Sequence, residues 1–62
     1  MKFKIRIERI REGLFIATCL NLPYCMVDGE DEREARQRLQ AAIQAYVQSY
    51  RDRHEEIPYR NS

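Results

Sequence analysis

The sequence predicts an α+β fold, a three-stranded antiparallel sheet with one long helix packed on one face. Three observations predict it. Residues 2–8 alternate polar and apolar side chains, residues 14–20 form a short apolar run, and apolar residues recur at helical spacing between residues 31 and 53. At 62 residues the chain is expected to form a single domain over 1–58, followed by a short tail over 59–62. A domain of that size buries only about 60% of the surface that its unfolded chain exposes. Small domains commonly add a disulfide, a metal or self-association.

The first strand places Phe3, Ile5 and Ile7 on one face and Lys2, Lys4, Arg6 and Glu8 on the other. That period of two marks a half-buried strand. Arg11, Glu12 and Gly13 supply a turn, with Gly13 free to take positive φ. The run Leu14 to Leu20 suits a central strand covered on both faces. Pro23 interrupts it, because proline brings no N–H to a ladder. Tyr24 to Val27 forms the third strand, and Asp28-Gly29 the next turn.

Asp31 is the expected helix N-cap, and Glu34 stands at capping-box spacing from it. Ala35, Leu39, Ala42, Ile43, Tyr46, Val47 and Tyr50 then share one stripe of a helix. The pairs Glu32–Arg36 and Glu34–Arg38 each add about 0.2–0.5 kcal/mol at i,i+4 spacing. The helix is expected to end near Arg53 and His54, and Pro58 bars its continuation. The expected core joins Phe3, Ile5 and Ile7 of the sheet to Ala35, Leu39, Ile43, Tyr46 and Val47 of the helix.

Lysine and arginine number 11 and the acids 10, so the net charge of +1 creates no field that favours nucleic acid or an anionic membrane. No apolar run is long enough to span a bilayer and no signal segment follows Met1, so the expected location is the cytoplasm. Cys19 and Cys25 are too few for a disulfide framework, and one histidine without a Cys-x-x-Cys pair gives no zinc spacing. No cofactor or metal is expected, which leaves oligomerisation as the supplementary source of stability.

Order and punctuation resemble the HicB-like antitoxin family, the older UPF0150 group. The residues that carry the resemblance are Glu12-Gly13, the stretch Cys19-Leu20-Asn21-Leu22-Pro23-Tyr24-Cys25, Gly29, Glu34-Ala35, Ala42-Ile43 and Ile57-Pro58. Tyr24 stands where the family pattern has glycine, and Asp31 where it has threonine. The resemblance implies a truncated ribonuclease H-like sheet plus helix. It also implies binding to a small HicA-type ribonuclease toxin whose active site is masked. Many relatives continue into a fourth strand and a DNA-binding domain, so the implication here is confined to the toxin-binding fold.

Metal-dependent nuclease chemistry requires converging carboxylates. The first strand offers only Glu8, and the other acids fall at turns, helix starts and the C-terminal segment, so no catalytic residue is assigned. Cys19 and Cys25 suit buried thiols better than a redox or metal pair. His54 suits a solvated helix end better than a general base. Tyr46 and Tyr50 suit an amphipathic core better than base stacking. The basic face of the first strand suits edge protection better than phosphate contact.

A single helix covers only one face of the sheet. Leu14, Ile16 and Leu20, or else Phe15, Ala17 and Cys19, are therefore left on the other. Leu14, Ile16 and Leu20, with Lys4 and Arg6, form the candidate self-association surface of a homodimer. Two functions follow: an antitoxin-like module for a HicA-type toxin, or a self-associating domain with a structural or regulatory role and no toxin. Direct nucleic-acid binding is disfavoured by the near-neutral charge.

Overall fold

A computed structural model describes residues 3–60. Met1, Lys2 of the first strand's polar face, and residues 61–62 of the tail lie outside the described residues. The elements are β1 (Ile5–Arg11), β2 (Leu14–Cys19), β3 (Met26–Gly29) and α1 (Glu32–Asp52). The strands form one antiparallel sheet in the order β1-β2-β3, with α1 on one face. This is the α+β architecture that the alternation and the helical stripe predict.

Every strand differs from the sequence reading at one end or both: β1 begins at Ile5, leaving Phe3 and Lys4 outside it, and β2 ends at Cys19 rather than Leu20. β1 runs on to Arg11, because a register shift between Arg9 and Arg11 absorbs one extra residue. The ladder survives the point where alternation lapses, and Gly13 turns the hairpin at φ 80°. β3 begins at Met26 rather than Tyr24. Tyr24 sits at φ 62°, outside any strand, and the Cys19 N–H donates to the Cys25 carbonyl at 2.9 Å to open the pairing. Asp28 and Gly29, expected in a turn, complete β3 opposite Ile16 and Phe15.

The register decides which face the helix covers. Ile5, Ile7, Phe15, Ala17, Cys19, Val27 and Gly29 share the helix side. Ala17, Cys19, Leu22, Cys25, Ala35, Leu39 and Ile43 are buried there. Phe3, Ile5, Ile7, Tyr46 and Val47 are half-buried and pack against them. The helix lies over β3 and β2 more than over β1.

Small residues explain that bias. A Cβ at Gly29 would stand 2.5 Å from the Ala35 nitrogen and 2.8 Å from its Cα. The first turn of α1 therefore rests directly on the β3 backbone, with Ala17 and Ala35 both fully buried. At the other side of the sheet the helix stands off, and Ile5 and Ile7 keep part of their surface.

Both helix ends are closed by local chemistry. The Asp31 carboxylate accepts from the Glu34 N–H at 2.8 Å, and the Glu34 carboxylate accepts from the Glu30 N–H at 2.8 Å. The return bond thus falls one residue before the N-cap, where a capping box would use the N-cap's own N–H. At the C-terminus the Glu55 N–H donates to the Tyr50 carbonyl and the His54 N–H to the Arg51 carbonyl, each at 3.0 Å. This is the Schellman pattern, with His54 at φ 56° in the left-handed site that glycine favours.

After Pro58 the chain folds back on the sheet end. The Tyr59 ring lies 6.4 Å from that of Phe3, and the Arg60 N–H donates to the Asn21 carbonyl at 2.6 Å. Ile57 packs against the core.

Two substitutions test this account by urea unfolding. Gly29→Ala forces α1 away from β3 and is expected to cost about 1–3 kcal/mol or more, the range of overpacked cores. His54→Gly removes the left-handed penalty and is expected to raise stability by about 1 kcal/mol. An unchanged midpoint for Gly29→Ala would contradict the close contact.

Candidate binding surface

The sheet face away from α1 carries Arg6, Glu8, Ile16, Thr18, Met26 and Asp28. Ile16 sits between Glu8 and Asp28, and Thr18 between Arg6 and Met26. Arg6 and Glu8 pair along β1 at 3.1 Å. Phe15, Ala17 and Cys19 go under the helix, so Ile16 remains on the open side. Leu14 lies half-buried beyond the β1 irregularity, opposite Arg11. Leu20 lies half-buried past the end of β2, and its N–H donates to the Lys4 carbonyl at 2.8 Å. Leu14, Ile16, Leu20, Lys4 and Arg6 are therefore not joined in one apolar surface, because charges flank Ile16 on both neighbouring strands.

The two sheet edges differ. In an antiparallel ladder, alternate residues of an edge strand turn their N–H and C=O groups outward. Cys25 bonds inward to Cys19, so Val27 also turns inward and Asp28 turns outward. That outward Asp28 carbonyl accepts from the Arg38 guanidinium at 3.1 Å, and the Asp28 carboxylate lies 3.7 Å from it. Glu34 holds the same guanidinium at 3.6 Å. The β3 edge is thus short and partly covered by a helix side chain, which discourages strand addition.

One corner of the open face gathers features that the sequence reading did not select. Tyr24 is 93% exposed while holding a left-handed backbone that bulky residues rarely adopt. Met26 beside it is 59% exposed. The Arg60 guanidinium lies 5.9 Å from the Tyr24 ring centroid. With Arg6, Thr18 and Leu20 these residues line a cleft of about 490 Å³. The available sequence signal was the glycine that the family pattern has at Tyr24. It marked the backbone conformation, but not Arg60, which arrives from the far end of the chain.

Cys25 and Tyr46 are shifted toward their neutral forms. Burial pushes the Cys25 thiol up, and neighbouring Cys19 adds to the shift. The Tyr46 hydroxyl is pushed up to about 12, first by burial and then by its hydrogen bond with Tyr50. The two rings stack at 5.1 Å, and Arg53 lies 4.5 Å from the Tyr50 centroid. Both cysteines are free thiols. Among the described residues no group of three His, Cys, Asp or Glu side chains could hold a metal ion, and no helix is long and apolar enough to cross a membrane.

These elements define a small sheet-and-helix α+β domain with one open sheet face. Along its whole length the chain is 31% identical to a UPF0150 protein of Thermoplasma acidophilum, covering 90% of that protein. The chain belongs to the UPF0150 family. No family model matches it, and no solved structure matches it.

The raised Cys25 and Tyr46 values carry a sign that can be measured. An acid whose folded-state value exceeds its unfolded one ionises first in the unfolded chain. The stability from keeping it neutral is full below the unfolded value and is lost as pH rises toward the folded one. Unfolding midpoints are expected to be level near pH 7 and to fall above about pH 9, where thiols and phenols begin to ionise. Tyr46→Phe is expected to flatten that alkaline fall. An equally steep fall in the variant would remove Tyr46 from the account.

Proposed function

We propose that this chain is a non-catalytic protein-binding module of the HicB antitoxin type. It acts in the cytoplasm by binding a small HicA-type ribonuclease toxin and masking its active site. The observation that carries this reading is the full-length relationship to a UPF0150 protein on a sheet-and-helix domain. The corner at Tyr24 supports it. Strained backbone persists where surrounding structure enforces it and clusters at functional sites. An exposed tyrosine beside a methionine and an arginine has the composition of an interface centre.

The test is purification with the product of any adjacent gene for a small basic protein, followed by light scattering and a ribonuclease assay. A defined hetero-complex with loss of ribonuclease activity is expected. Tyr24→Gly removes the ring and also relieves the backbone. It is therefore expected to keep or raise thermal stability while weakening the complex about tenfold or more, the effect of truncating an interface anchor. Undiminished ribonuclease activity with excess wild-type chain would overturn the reading.

A further inference from the structure

With the β3 edge short and partly covered by Arg38, β1 is the edge more open to strand addition. Lys4 bonds inward, its carbonyl accepting from Leu20 and its N–H donating to the Asn21 side chain. By the alternation of an antiparallel ladder, Arg6 and Glu8 also turn their backbone groups toward β2. Ile5, Ile7 and Arg9 turn theirs outward. The register shift between Arg9 and Arg11 ends this regular stretch, so the exposed template is Ile5 to Arg9.

We propose that this edge pairs with the same edge of a second copy, antiparallel and centred on Ile7. A two-fold axis perpendicular to the sheet joins two such strands antiparallel and keeps both helices on one face. Ile7 then exchanges both backbone hydrogen bonds with its counterpart, and Ile5 does so with Arg9 of the second copy. The register follows from charge. Centring on Arg6, Glu8 or Arg9 opposes each to its own like charge, and centring on Ile5 sets Arg6 against Lys4 of the second copy. Centring on Ile7 sets Arg6 opposite Glu8 of the second copy, and Glu8 opposite its Arg6. Both side chains are more than half exposed and lie on the open face, in the close non-hydrogen-bonded positions of the ladder.

The helix side of the joint agrees. There the two half-buried Ile7 side chains meet. Between β1 and α1 lies a cleft of about 420 Å³ lined by Phe3, Ile5, Gln40, Ile43 and Gln44. Arg9 of the second copy falls beside Ile5 at its mouth. Its methylenes can cover the apolar wall while its guanidinium reaches the glutamine amides. This dimer does not depend on a toxin and uses neither Tyr24 nor the β3 edge.

The experiment is a charge swap read by light scattering and native mass spectrometry at micromolar concentration, with circular dichroism to report folding. The wild type is expected at twice 7.5 kDa. Arg6→Glu and Glu8→Arg each replace two attractive cross-strand pairs by repulsive ones and are expected to weaken self-association about tenfold or more. Mixing the two variants restores complementarity and is expected to yield a one-to-one heterodimer. The double variant R6E/E8R is expected to self-associate again. A monomeric wild type overturns the proposal and leaves the toxin reading standing. Single variants that remain dimers, or folded variants that fail to combine, overturn it as well.

Discussion

The contact on which the domain depends is the direct seating of the first turn of α1 on Gly29. A side chain at that position would collide with the backbone of Ala35, so relief by a side-chain rotation is not open to it. That seating fixes the helix over β2 and β3, buries Ala17 and Leu39, and leaves Ile5 and Ile7 under a helix that stands further off. The Asp31 cap begins the helix two residues after the strand ends, so the sharp reversal and the close approach are one local device.

That off-centre placement makes the two edges of the sheet unlike. On the β3 side the helix is close enough for Arg38 to reach the outward Asp28 carbonyl. On the β1 side it is not, and a cleft opens between Ile5 and Gln44. Edge protection on β1 rests instead on charge, and the neighbouring Arg6 and Glu8 carry opposite signs on one face. A row of like charges repels an identical strand in every register, whereas Arg6 and Glu8 leave one register unrepelled.

The corner at Tyr24 shows the opposite economy, in which strain is kept. Its left-handed backbone is held by pairing that begins immediately after it, between Cys19 and Cys25, and by Pro23 immediately before it. The ring gains no burial in return, since it is almost wholly exposed. The returning C-terminal segment brings Arg60 to that ring and Tyr59 to Phe3. A stretch that continues no regular element therefore completes the surface where the sheet ends.

Much of the architecture was legible in the chain because it rests on period and punctuation. Alternation from Phe3 to Ile7, the apolar run after Gly13 and the stripe from Ala35 to Tyr50 each specify an element through neighbours in sequence. The sequence alone also placed Asp31 at the helix start, since capping is a contact over three residues. Strand ends were less legible. The extra residue near Arg9 and the start of β3 depend on what lies opposite them, and periodicity cannot see a partner strand. The face of β2 that meets the helix was undetermined, because both its faces are largely apolar. The helix connection and the bare Cβ position of Gly29 decided it. Only the folded chain could bring Arg60 to Tyr24 or Arg38 to Asp28, since those contacts join residues far apart along the backbone.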